Sequence, residues 1–281
     1  MSHVEDRFHS CDGLELHEHR WLPRLPADAA VVVVHGINEH AGRYARVAEA
    51  LNEHGYAVYA MDLRGHGRST GPRALVYSFD EYLADLDVLL ARVREREPEK
   101  PLFLFGHSMG GAIAARFVVA RQPQHLGLIL SAPAVRIGAN VFPVLRHLAG
   151  IVGLLFPRLR LVRLGCRYIS RDPQVIEDFK NDPLVFHGRF PVRTGAEIFR
   201  AAKRVEAEAA ALTSPLLILH GTADAACDVE GSRVLHLRAG SRDKTLHLYE
   251  GLYHEVLSEP ERERVLCDMI AWMNRRRTTE L

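Results

Sequence analysis

The chain has 281 residues, 47% hydrophobic and 25% charged, with 36 Lys and Arg against 35 Asp and Glu, a formal net charge of +1. This composition excludes a disordered or fibrous chain, and the near-neutral total excludes the strongly basic domain that nucleic-acid binding asks for. The length suits one large core or a core with a cap.

The N-terminus, MSHVEDRFHS, carries acids and lacks the basic start and apolar centre of a signal peptide. The longest apolar run, Leu148 to Pro157, is too short to span a bilayer. Cys11, Cys166, Cys227 and Cys267 lie far apart without CxxC spacing, which predicts reduced thiols rather than a disulfide framework or zinc site. These features predict a cytoplasmic protein with no structural metal.

Short apolar, β-branched runs read as buried strands at Leu14 to Trp21, Ala30 to Val34, Ala57 to Met61, Leu102 to Phe105, Leu126 to Leu130, Leu216 to Leu219 and Thr245 to Tyr249. Helical periodicity lies between them at Gly42 to His54, Phe79 to Arg96, Met109 to Arg121, Val229 to Arg238 and Glu259 to Arg276, and the closing RRRTTEL is expected to fray. The alternation predicts an α/β fold, a mainly parallel sheet with helices on both faces. It breaks at about Pro133 and resumes after Ala211, which predicts a core over 1–132 and 212–281 with a mostly helical cap over 133–211.

The chemistry is concentrated in GHSMGG, Gly106 to Gly111, which an apolar strand enters and a helix leaves. In a GxSxG elbow the central residue, Ser108, sits on a strained corner between strand and helix, so its hydroxyl stands at the sheet edge. A serine needs a base to take its proton and a third group to fix that base's tautomer. His254 follows the last predicted strand and is the candidate base. Two acids follow the strand before it, Asp224 and Asp228; Asp228 directly precedes a helical pattern and suits an N-cap, which favours Asp224. Backbone N–H groups of Met109, after the serine, and Ile37, in VVVVHGINEH, are the candidate oxyanion donors. His107 is read as structural, pointing away from the site, and Cys227 as a buried structural thiol, with a place in the pocket lining as the alternative.

DLRGHGRSTG, Asp62 to Gly71, has neither GxxxxGK[ST] nor GxGxxG order, so no nucleotide site is expected and no cofactor is called for. Its glycines, Asp62 and Arg64 suit a supporting turn. From Pro101 to Arg171 there are nine Arg and no Asp or Glu. Within that stretch, apolar residues of Val141 to Leu164 carry Arg146, Arg158, Arg160 and Arg163, a pattern suited to transient contact with a membrane or lipid aggregate through the cap.

Together HGINEHAGRY, DLRGHGRSTG, GHSMGGAIA, NDPLV, RVE, HGTADAACD and DKTLHLYEGLYHE resemble the monoacylglycerol lipase family of serine α/β-hydrolases over roughly Leu14 to Trp272. The resemblance implies Ser108, Asp224 and His254 as the triad, with Ile37 and Met109 lending oxyanion N–H groups. It also implies a monoglyceride substrate met by Glu39 and Arg43. Two substrate-site positions depart from the family pattern: Phe179 stands where a tyrosine is usual, and Leu257 where a second histidine follows the base. Each loses a polar contact, which weakens discrimination among leaving alcohols. A lysophospholipase or broad carboxylesterase is the alternative substrate reading, and a non-catalytic lipid-binding relative the alternative of another class.

Overall fold

A computed structural model describes residues 1–123, 126–137, 152–163 and 165–277. Residues 138–151, including Arg146 and the start of the apolar run, lie outside them. An eight-stranded sheet is built from β1 (Ser2–His9), β2 (Glu15–Leu22), β3 (Ala29–Val34), β4 (Tyr56–Met61), β5 (Leu102–His107), β6 (Leu126–Ser131), β9 (Leu216–Gly221) and β10 (Lys244–Tyr249), in the order β1-β2-β4-β3-β5-β6-β9-β10. β1 and β2 pair antiparallel and β2 meets β4 antiparallel, while every pairing from β4 to β10 is parallel.

The central strands read as continuous apolar runs because both of their faces are covered. Ala30, Val32 and Val34 of β3 enter one apolar cluster and Val31 and Val33 the other, the period-two division that a pleated strand imposes. The first cluster is closed by α2 (Asp80–Arg96), α3 (Met109–Arg121), α5 (Val192–Ala207) and α6 (Val229–Arg238). The second is closed by α1 (Ala45–Glu53) and α7 (Arg262–Arg277), with Trp272 fully buried edge-on against Phe103.

β1 was not foreseen. Only Phe8 of its residues is buried, so this edge strand has no apolar alternation to announce it. The tail also differs from expectation: Arg275 to Arg277 complete α7, and Arg276 pairs with Asp243 while its guanidinium lies 4.0 Å from the Trp272 ring centre. The last described turn is therefore held by side-chain contacts, and the rest of that tail, residues 278–281, lies outside the described residues.

Between β6 and β9 the described chain forms a two-stranded ribbon of β7 (Arg160–Val162) and β8 (Phe190–Pro191), with α4 (Pro173–Asn181) between the two strands and α5 after them. Ile198, Ala201 and Val205 of α5 enter the sheet's own apolar cluster, so this helix rests on the core. Chain order reverses between β3 and β5, which places a crevice at their carboxyl ends. The loops after β3, β5, β9 and β10 all open there.

Candidate active site

The turn after β5 has the strain its sequence predicts. Ser108 adopts φ 53° and ψ −118°, outside the regions an ordinary L-residue prefers. Neighbouring backbone permits no side chain at Gly106 or Gly110: a Cβ on Gly106 would lie 2.4 Å from Gly110 O, and one on Gly110 2.1 Å from Val34 O. Ser108 donates its N–H to Ser131 O (3.0 Å), and its carbonyl accepts from Ala112 (3.1 Å) and Ala134 (2.9 Å). The strained residue is thus held on three sides.

His254 and Asp224 meet across the loops after β10 and β9. His254 Nδ1–H donates to Asp224 Oδ2 at 2.7 Å, and Asp224 Oδ1 accepts the N–H groups of Ala226 (2.7 Å) and Cys227 (3.0 Å). Burial works against both charges. Interaction with His254 and His220 nevertheless holds the Asp224 carboxyl far below its usual range, and Asp224, Glu255 and Glu39 together raise His254 above its usual value. Asp228 caps α6 instead, accepting the Glu230 N–H at 2.9 Å.

The loop after β3 is pinned from within. Glu39 Oε1 accepts the Gly36 N–H (2.6 Å) and the Tyr44 hydroxyl (3.0 Å), and Oε2 meets Arg43 (2.6 Å). Burial opposes ionisation of Glu39, but Arg43, His107, His35 and the Gly36 N–H together bring it to about 2. Arg43 also grips Glu255 and lies over the Phe179 ring, 4.9 Å from its centre. The N–H groups of Ile37 and Met109 have no hydrogen-bond partner among the described residues. Farther back, Asp62 accepts the N–H groups of Ala41 and Arg68, while Arg64 forks onto Asp85, so the DLRGHG loop buttresses this edge.

Ser108, His254, Ile37, Met109, Glu39, Arg43 and Phe179 all line one cavity of about 560 Å³. Most of the remaining wall is apolar and includes Tyr168, Phe186, Phe190 and Ile198, none of which carries a signal in a single sequence. Leu257 does not join them. It is buried in the wall of a neighbouring cavity of about 470 Å³, which shares Arg43, Phe179 and Glu255 with the first. His107 corrects its reading: the ring lies 4.7 Å from that of His254 and lines the site rather than turning away. Burial and the neighbouring His254 bring it to about 4, so it is neutral near pH 7. Cys227 is buried as expected and also lines the cavity.

Two groups among the described residues offer three ligand atoms to a metal: Asp224, Cys227 and His254, and on the outer hairpin His3, Glu5 and His19. In the first, the Asp224–His254 hydrogen bond already joins two of the three. In the second, His3 Nε2 and His19 Nδ1 face each other 3.1 Å apart in nearly parallel rings. That separation is a hydrogen-bond distance.

The doubly covered sheet, strained serine turn and His–Asp pair at the carboxyl edge define an α/β-hydrolase. A family model described as serine aminopeptidase, S33, matches residues 26–261. The chain is 38% identical to a monoacylglycerol lipase of Mycolicibacterium smegmatis over 96% of each chain, and 36% identical to the monoglyceride lipase of Rattus norvegicus over 95% of this chain and 89% of that one. Among solved structures, the monoacylglycerol lipase of Paleococcus ferrophilus superposes with a TM-score of 0.82 at 32% identity, covering 98% of this chain and all of the other. The chain belongs to the monoacylglycerol lipase family.

Proposed function

We propose that this protein is a serine hydrolase of lipid carboxylic esters, with monoacylglycerols as its main substrates, yielding fatty acid and glycerol. The observation that carries the reading is a single apolar cavity lined at once by a strained serine and a carboxylate-paired histidine. Apolar walls suit an acyl chain, while Glu39, Arg43 and Glu255 give the same cavity a polar border suited to an alcohol.

In this mechanism His254 takes the Ser108 proton as Oγ attacks the ester carbonyl, and Asp224 stabilises the imidazolium through Nδ1. Ile37 and Met109 donate N–H groups to the oxyanion, with the α3 N-terminus reinforcing the field. The tetrahedral intermediate collapses, the leaving alcohol takes the proton from His254, and an acyl-enzyme remains. His254 then deprotonates a water that releases the fatty acid and regenerates Ser108.

A peptidase reading fits less well. Recognition of a free N-terminal ammonium asks for an uncommitted carboxylate, yet Glu39 and Glu255, the acids lining the cavity, are both paired with Arg43. Phe179, which lines the cavity, favours a second substrate class, esters with simpler alcohols, hydrolysed beside monoglycerides.

The 133–211 insertion serves as the cap. Leu154, Leu155 and Phe156 are 65%, 67% and 62% exposed, and exposed Arg158 and Arg160 follow directly. Such a patch suits peripheral docking on an anionic lipid surface. No described helix is long and apolar enough to cross a membrane. The setting we propose is a cytoplasmic protein that meets lipid transiently. Hydrolysis of monooleoylglycerol, lysophosphatidylcholine, an aminoacyl anilide and simple esters tests the reading; no turnover of any ester would overturn it.

A further inference from the structure

Behind the candidate acid stands a residue that lines neither of the two cavities described. His220, at the penultimate position of β9, is fully buried. Its Nδ1 lies 2.6 Å from Ser232 Oγ on α6, and its Nε2 lies 3.2 Å from both Cys227 O and Asp224 Oδ2. These neighbours fix the tautomer. Nε2 faces a carbonyl and a carboxylate, two acceptors, so it carries the proton; Nδ1 then accepts from the Ser232 hydroxyl.

Asp224 Oδ2 therefore faces two imidazoles: His254 donates in front at 2.7 Å, and the His220 Nε2–H, shared with Cys227 O, stands behind at 3.2 Å. Oδ1 is taken by the two backbone N–H groups of its own loop. We infer that His220, oriented by Ser232, is a positioning residue that holds the Asp224 carboxylate toward His254 and draws part of its charge away from that histidine. The inference rests on Ser108, His254 and Asp224 forming the triad.

The charge-sharing part has a sign that mere scaffolding lacks. When a second donor to Oδ2 is removed, the carboxylate acts on His254 undiluted and the imidazolium becomes more stable. The acid limb of kcat/KM then moves to higher pH. If His220 only filled space, its loss would loosen Asp224 and move the limb down or leave it in place. The other titratable groups facing His254, Glu255, Glu39, His107 and Cys227, are common to every variant.

The test is a pH profile of kcat and KM with a soluble short-chain ester for His220→Leu, His220→Gln and Ser232→Ala, each checked for folding by thermal melt and by fluorophosphonate labelling. His220→Leu should lower kcat about tenfold, with KM changed less than about twofold and the acid limb moved upward, because one charge-assisted hydrogen bond is lost. His220→Gln, whose amide N–H also donates, should recover kcat to within about threefold. Ser232→Ala should move the limb in the same direction by less, and it carries the test if His220→Leu does not fold. A folded, labelled His220→Leu or Ser232→Ala enzyme with an unmoved or lowered acid limb overturns the inference. Ser108→Ala separates the two levels: if it stays active the triad itself is wrong, whereas an inactive Ser108→Ala beside unmoved limbs removes only the role of His220.

Discussion

Arg43 grips Glu255 at two points, Nη1 to Oε1 at 2.9 Å and Nη2 to Oε2 at 2.8 Å, while the same guanidinium reaches Glu39 at 2.6 Å. One cation thus ties the loop after β3, which carries Ile37, to the loop after β10, which carries His254. Burial disfavours the guanidinium charge, but the two carboxylates raise its pKa beyond the ordinary arginine value. The arginine stays charged at every accessible pH.

Removing this cation leaves two buried carboxylates without the charge that balances them. Arg43→Met should destabilise the fold by about 3–5 kcal/mol, the cost of breaking a buried pair from one side. Arg43→Lys should recover only part, since an ammonium cannot fork onto Glu255 and reach Glu39 together. Chemical denaturation of the three proteins checks both statements. A Lys variant as stable as the parent would show that the two-point geometry is unimportant.

The pH profile follows from His254. It must be neutral to accept the Ser108 proton, and Asp224, with Glu255 and Glu39, raises its pKa against the opposing effect of burial. Activity is therefore full above the raised value and lost as pH falls through it. Asp224→Asn removes the largest of the raising effects and should lower the limb's midpoint while reducing kcat by about 10⁴. Initial rates measured across pH 4 to 9 read both.

Gly110 tests the elbow's packing. A Cβ there meets Val34 O at 2.1 Å, backbone that cannot yield without parting α3 from β3. Gly110→Ala should cost about 3 kcal/mol or more, at the severe end for overpacking, and abolish fluorophosphonate labelling. A stable, labelled variant would show that helix and strand approach less closely than described.

The exposed patch is tested by Leu154→Ser, Leu155→Ser and Phe156→Ser combined. All three side chains already face solvent, so thermal stability should hold. Hydrolysis of long-chain monoacylglycerol in anionic vesicles should fall about tenfold, while a soluble short-chain ester should be cleaved at the parental rate. Equal rates on vesicles would remove the docking role.

Much of this was legible in the amino-acid order because burial on both faces leaves a plain mark. The runs around Val31, Tyr59, Leu104 and Ile218 read as strands for that reason, and the elbow, Asp224 and His254 follow from where strands end. What escaped is tertiary. β1 buries only Phe8 and so resembles a polar tail. Glu255 reads as an ordinary acid until Arg43, 212 residues away, is seen to grip it. The hold of the segment between β6 and β9 on the loop after β3, through Phe186 N–H to Asn38 O and His40 to Asp182, joins stretches that share no sequence pattern. His107 was misplaced because the elbow's geometry alone does not say that its ring packs beside His254.

The most direct test of the central claim is Ser108→Ala assayed on monooleoylglycerol, beside active-site titration of the parent with a fluorophosphonate and mapping of the label. The account predicts one label per chain, on Ser108, and a kcat/KM for the alanine variant lower by about 10⁴ or more at unchanged thermal stability. Label on another residue, or an alanine variant that keeps the parental rate, would contradict it.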